Sequence, residues 1–223
     1  MAIWAIGDVH GHLIQLKTLL NALPMASRDE LLFIGDLIDR GPDSAGVLRL
    51  VHRLREAYPV TVLRGNHEAL MLAAREDAMA EARWRSFGGE TTLASYGASK
   101  PEGIPEEDWR LLEASELFHE AAGAIYVHAG LDPSLDLDHQ LESDLLWRHF
   151  DDLAPHDSGK FIVCGHSPQL SGSPNLRGHA MCIDTCDQSC GGWLTAVNLE
   201  RRIFMQAGPT RETRCDCFSF LDT

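Results

Sequence analysis

Apolar and polar positions along the first half of the chain alternate between two periods. AIWAIG, LLFIG and VTVLRG are short, nearly continuous apolar runs that read as buried strands. Between the first two, Leu13, Leu16, Leu19, Leu20 and Leu23 recur at helical spacing, and Pro24 ends that helix. After the second, Pro42 suits a helix start, and Val47, Leu48, Val51 and Leu54 supply an apolar face. Residues 69–82, rich in Ala, Leu and Met, predict a third helix. Residues 84–123 lose this regularity and predict a helical and loop insert near the site, a cap over it. AIYVHAG and KFIVCGH then resume the strand pattern. AMCIDT, WLTAVNL and RIFMQA predict an antiparallel meander at the end. The expectation is an α/β fold with a largely parallel sheet, in a single domain over 1–223.

In such sheets ligands gather beyond the carboxyl ends of the strands. The residues there carry the chemistry. GDVHG follows the first strand, GDLIDRG the second and GNHE the third; HAG and GH end two later runs. Asp8 and His10 can reach one metal ion from a turn, and Asp36 at the next strand end is the natural bridge to a second. Asn66 offers a carbonyl oxygen, and His128 and His166 offer imidazole nitrogens. This mixed oxygen and nitrogen set suits two divalent ions, Mn2+ foremost with Fe or Zn as alternatives, over Mg or Ca. Two such ions activate a water and neutralise phosphoryl oxygens. Arg40 and Arg64 adjoin the ligands and can pair with a phosphate, and Arg148 is a third candidate. His67 is placed to protonate a leaving oxygen, with Asp39 holding its ring.

Composition narrows the substrate. The 223 residues are 44% hydrophobic and 23% charged, as in an ordinary globular protein. The formal net charge of −14 argues against a nucleic-acid partner. No apolar run reaches about 18 residues, so no membrane partner is expected. The N-terminus enters a strand at once without a basic region, so the expected location is cytoplasmic. Cys182, Cys186, Cys190, Cys215 and Cys217 lack the usual ligand spacing for zinc; with Cys164 they read as reduced, packed thiols. His12, His52, His119, His139, His149, His156 and His179 read as structural or solvated, and Asp151 and Asp152 as a solvated face.

The three motifs, complete and in order, resemble the phosphoprotein phosphatase group of calcineurin-like metallophosphoesterases, in its compact bacterial and phage branch. GGETTLASYG and the IDT of Ile183 to Thr185 extend the likeness, although Cys186 stands where relatives have Gly. The resemblance implies a four-layer α/β/β/α sandwich with two central mixed sheets. It implies one metal held by Asp8, His10 and Asp36, and another held by Asp36, Asn66, His128 and His166. It implies a phosphomonoesterase acting on phosphoserine and phosphothreonine in proteins, with phosphotyrosine as a further substrate, by in-line attack of a water between the metals. The alternative is a symmetrical dinucleoside tetraphosphate hydrolase, a group that shares the motifs but has longer chains. A non-catalytic metal-binding module is disfavoured because every ligand, His67 and Asp39 are present.

Overall fold

The computed structural model describes residues 2–186 and 192–219. β1 (Ile3–Ile6), β2 (Glu30–Phe33) and β3 (Val60–Val62) run parallel, as their apolar sequences predict. β1 and β2 are buried along their whole length, as strands covered on both faces must be. The crossovers are α1 (Leu13–Ala22) and α2 (Ser44–Arg55). The Asp43 side chain accepts from Gly46 N at 2.8 Å and so starts α2.

α3 (Asn66–Ala73) follows β3 directly. The single helix expected over 69–82 is in fact two. α4 (Ala78–Trp84) restarts because the Asp77 carboxylate accepts from Met79 N and Ala80 N, at 2.7 and 2.9 Å. Such a cap competes with continuing the preceding helix. After a kink at Gly88 (φ 116°) come α5 (Glu90–Ser95) and α6 (Glu106–Glu113). The segment read as a helical and loop insert then ends in a strand, β4 (Phe118–Ala121), with only partial burial to betray it.

The second sheet is β4, β5 (Ala124–Val127), β6 (Phe161–Cys164), β7 (Asn175–Leu176) and β8 (Ala180–Cys182), in the order β4-β5-β6-β8-β7. α7 (Glu142–Trp147) lies in the connection from β5 to β6. The chain then returns to the first sheet as β9 (Leu194–Asn198), β10 (Ile203–Ala207) and β11 (Thr213–Cys217), giving the order β11-β10-β9-β1-β2-β3. AMCIDT therefore does not join the meander. Its strand, β8, pairs parallel with β6, and Ile183–Thr185 crosses between sheets, bonded to Cys164 O on one side and to Trp193 N on the other.

Both sheets are mixed, and they pack face to face. Ile3, Ala5, Leu32 and Ile34 meet Tyr126, Val163 and Met181 in an apolar layer. The other face of the first sheet, with Trp4, Ile6 and Phe33, packs on Leu16, Leu19, Val47 and Val51 of α1 and α2. Leu145, Phe150 and Leu153 cover Ile125, Val127 and Ile162 on the far side of the second sheet. This is the four-layer arrangement expected, with a thin fourth layer of short helical turns.

Cys164 and Cys182 are buried free thiols and Cys186 is buried as well, as expected of small hydrophobes. Cys215 and Cys217 are instead exposed on β11, a strand at the sheet edge. Cys190 lies outside the described residues. Asp151 is exposed as expected, but pairs with Arg177.

Candidate active site

Every predicted ligand sits where a parallel strand ends. Asp8 and His10 follow β1, Asp36 follows β2, and Asn66 and His67 open α3 after β3. His128 and His166 follow β5 and β6, so both sheets contribute. Asp8, Asp36, Asn66, His67 and His128 are each 2% exposed or less.

The loops are stitched to one another. Val9 N and His10 N both donate to Asp36 O, and His67 N donates to Asp36 Oδ1 at 3.1 Å. His166 N approaches the Asp8 carboxylate at 3.2 and 3.3 Å. Gly35 adopts φ 101°, and a Cβ there would lie 2.6 Å from Gly65 N, so only glycine lets these two loops meet. Glu68, to which the sequence reading gave no task, ties the second and third loops together. Its carboxylate accepts from Asp36 N, Leu37 N and Gly65 N, each at 2.8 Å. Burial first, then the Asp36 charge, pushes its pKa up to about 7.

This stitching has work to do. Among the described residues eight non-glycines have positive φ, and five of them are His10, Asp36, Asp39, Arg40 and His166. Each such residue costs on the order of 1 kcal/mol or more. The sum is comparable with the whole stability of a domain, so the contacts around the site must overdetermine these conformations.

Asp36 faces both halves of the cluster. Its Oδ2 lies 3.5 Å from His10 Nε2, and its Oδ1 lies 3.6 Å from His128 Nε2. His10 donates through Nδ1 to Ile38 O (3.0 Å), and His128 donates through Nδ1 to Ile34 O (2.9 Å). Both Nε2 atoms therefore present lone pairs inward. Asn66, as placed, turns its oxygen rather than its NH2 to His128 Nε2 and His166 Nδ1, at 3.0 Å from each. Acceptors facing acceptors in a buried place are satisfied by cations. The residues present thus fit two divalent ions, one beside His10, Asp36 and His67, the other among Asp36, His128 and His166, with Asn66 Oδ1 3.0 Å from both rings; Asp8 stands in neither group.

The electrostatics agree. Burial lowers the pKa of His10 to about 3 and that of His166 to about 4, keeping both neutral as ligands must be. Burial opposes ionisation of Asp36, but the surrounding histidines outweigh it and hold its pKa below the usual carboxylate range. Asp8 goes the other way: burial, then the Asp184 and Asp36 carboxylates, raises its pKa. Three buried carboxylates in one place need added positive charge.

His67 differs from the other histidines. Its Nδ1 meets Asp39 Oδ2 at 2.7 Å, and its Nε2 is buried without a hydrogen-bond partner. That Nε2 lies 4.0 Å from Asp36 Oδ2, beside the ligands. Burial disfavours its charge, but the Asp36 and Asp39 carboxylates prevail and raise its pKa. His67 falls within the same group as His10 and Asp36, but a protonated ring cannot hold a metal and can give up a proton. Asp39 is itself fixed by Thr92 Oγ1 (2.7 Å) and by Trp84 Nε1 (3.0 and 3.1 Å). Trp84 and Thr92 were not singled out from the sequence. GGETTLASYG, which holds Thr92, was the available signal.

The three arginines fare differently. Arg40 reaches the cluster, with Nη1 at 3.0 Å from His10 Nε2. Arg148 packs its stem against Gly130 in the HAG motif and pairs with Asp144 at 3.0 Å. Arg64 is turned to a neighbouring loop: Nε donates to Ser115 Oγ, and Nη2 to Glu113 O and Ser115 O. None of its described contacts reaches the ligands, so only Nη1 is left for a phosphate. Of the histidines read as structural, His156 is held by Ser158 and Leu135 O, and His52 by Asp108. His149 is exposed, with its ring 5.6 Å from that of His166.

A family model described as calcineurin-like phosphoesterase matches residues 1–192. The chain belongs to that family. Among curated relatives of this phosphoesterase, an asymmetrical bis(5'-nucleosyl)-tetraphosphatase (PrpE) of Oceanobacillus iheyensis is 31% identical over 237 residues, covering 92% of this chain and 91% of the relative. A symmetrical bis(5'-nucleosyl)-tetraphosphatase of Nitrosomonas europaea is 36% identical, covering 62% of this chain and 48% of the relative. Serine/threonine-protein phosphatase 1 of Salmonella typhimurium is 39% identical, covering 46% of each. The phosphoesterase described here thus spans about half the length of the latter two. A solved candidate diadenosine tetraphosphatase shares the fold, with TM-score 0.66 at 23% identity over 96% of this chain and 92% of that one. Among the described residues no helix is long and apolar enough to cross a membrane.

Proposed function

We propose that this chain is a phosphohydrolase with two divalent cations and that its substrate is a dinucleoside tetraphosphate, split asymmetrically into a nucleoside monophosphate and a triphosphate. The chemistry rests on one observation: a buried imidazole nitrogen, His67 Nε2, has no partner and points beside a cluster that calls for cations. Cations held there supply positive charge and lower the pKa of the attacking water. Asp8, His10 and Asp36 would hold one, with Mn2+ suiting the donor set. Asp36, Asn66, His128 and His166 would hold the other. Arg40 binds the phosphate under attack, and Arg148 adds a contact once it exchanges Asp144 for substrate. Arg64 contributes through Nη1. His67 gives its proton to the leaving oxygen, and Asp39 holds the ring at Nδ1 with that proton on Nε2.

The nucleotide substrate is favoured over the phosphoprotein by the extent of the likeness. The Oceanobacillus tetraphosphatase matches over 92% of this chain and 91% of its own, whereas the Salmonella protein phosphatase matches over 105 residues. The symmetrical enzyme expected as an alternative from the motifs matches only half its own length. Protein serine/threonine phosphatase activity is the second reading, favoured by the 39% identity of that shorter match. Rates on diadenosine tetraphosphate and on a phosphoserine peptide, measured side by side with Mn2+, decide. Faster release of AMP and ATP from the dinucleotide is expected; a clear preference for the peptide would overturn the nucleotide reading.

A further inference from the structure

The cluster has an aromatic wall. Phe87, on the kink after α4, sets its ring edge-on to His67, with centroids 6.2 Å apart. Trp147, the last residue of α7, stands at 81° to Phe87 with centroids 5.9 Å apart, and is 5.9 Å from the ring of His166. The two rings therefore make a corner that runs from the proton donor to a metal ligand. Phe87 is 37% exposed and is the only aromatic among the large apolar side chains exposed in the described residues. A phosphate over the cluster would carry its substituent past these rings.

A cation stands at the same corner. The guanidinium of Arg83 lies 6.0 Å from the Trp147 ring centroid. Arg83 is exposed and has no acidic partner among the described residues, whereas Arg85, two residues on, is taken by Glu81 and Glu90. The corner is also held in place. A Cβ on Gly89 would lie 2.5 Å from the Trp84 ring, so the kink that presents Phe87 is packed on the indole that bonds Asp39.

We propose that Phe87 and Trp147, with Arg83 beside them, form the subsite that receives the base of a nucleotide whose phosphate lies over the cluster. A planar base can stack on one ring while the other meets its edge. Arg83 supplies positive charge for the rest of a polyphosphate chain. An aliphatic phosphoester would gain nothing from these rings. The assignment rests on the nucleotide reading of the site, but its test does not depend on dinucleotide turnover.

The test uses competitive inhibition of glycerol 2-phosphate hydrolysis with Mn2+ present, comparing AMP with ribose 5-phosphate. Ribose 5-phosphate carries a hydroxyl at the carbon where AMP carries the base. Stacking is worth at least about fivefold per base, so AMP is expected to inhibit at least fivefold better. In Phe87→Leu and Trp147→Leu that advantage is expected to fall below about twofold, with glycerol 2-phosphate turnover kept. Arg83→Gln is expected to weaken inhibition by ATP more than by AMP. Equal inhibition by AMP and ribose 5-phosphate in the unaltered protein would overturn the proposal. So would variants that lose glycerol 2-phosphate turnover, since the rings would then serve His67 and His166 instead. A phosphotyrosine peptide that outcompetes AMP would likewise show that the corner takes a phenol ring. If diadenosine tetraphosphate is not cleaved while AMP keeps its advantage, the proposed substrate fails and the subsite stands.

Discussion

Arg40 Nη1 lies 3.0 Å from His10 Nε2, on the side of the ring left bare by the Nδ1 bond to Ile38 O. The guanidinium thus sits at the lone pair that a cation would use. The two positive charges share one region, and a phosphate between them is the natural arrangement. Arg40→Ala is expected to raise KM for substrate by about ten- to a hundredfold, the scale of a lost charged hydrogen bond. Mn2+ affinity, read by calorimetry, is expected to hold or tighten. A variant that loses metal and substrate together would contradict this division.

His67→Asn removes the buried, unpaired Nε2 and leaves each proposed ligand in place. The expected result is a kcat lower by about 10²-fold or more, with metal content unchanged. The loss should be larger on glycerol 2-phosphate, whose alkoxide leaves poorly, than on p-nitrophenyl phosphate, whose leaving group needs no proton. Equal losses on good and poor leaving groups would remove the proton donor's role.

Trp84 and Thr92 act through Asp39. Trp84→Phe and Thr92→Val each remove one hydrogen bond to its carboxylate, freeing Asp39 and hence His67 to rotate. We expect kcat to fall by about tenfold, on the scale of one hydrogen bond to a charged group, with KM unchanged. Unchanged kcat in the double variant would mean that His67 alone sets the geometry.

Removing the metals should cost stability as well as rate. Asp8, Asp36 and Glu68 are buried carboxylates whose mutual repulsion cations relieve. Excess EDTA is expected to abolish activity and to lower Tm by several degrees, since the cations bind only the folded chain. Added Mn2+ should restore both. Full activity in EDTA would end the metal mechanism.

Away from the site, Asp29 anchors the start of β1. Its carboxylate accepts from Ala26 N and Ala2 N at 3.0 Å each, and Arg201 adds an ion pair at 3.4 Å. The backbone bonds lower its pKa below 3.8, so its contribution is complete above that value and is lost as pH falls through the lower folded-state value. Asp29→Asn is expected to cost about 1–2 kcal/mol at pH 7. Urea unfolding at several pH values should find that cost constant down to about pH 4 and shrinking below it. A cost that grows on acidification would reverse the sign assigned here.

The strand ends, the placement of the candidate ligands beyond them and the His67–Asp39 pair were legible in the residues themselves. Each depends on local rules: an apolar run makes a buried strand, and glycines beside Asp, Asn or His make tight turns that expose ligands at its end. What sequence could not reach depends on residues far apart in the chain. Glu68 bonds Leu37 N across 31 positions, and Thr92 bonds Asp39 across 53. Arg64 adjoins a ligand in sequence, yet carbonyls some 50 positions away draw its guanidinium aside. β8 left the expected meander because pairing with β6 buries it on both faces. The corner of Phe87 and Trp147 joins side chains 60 positions apart. Short-range chemistry therefore named the candidate groups. Their supports, their exclusions and the shape of what they receive were decided only by packing two sheets together, because that alone sets which distant backbone and side-chain groups become neighbours.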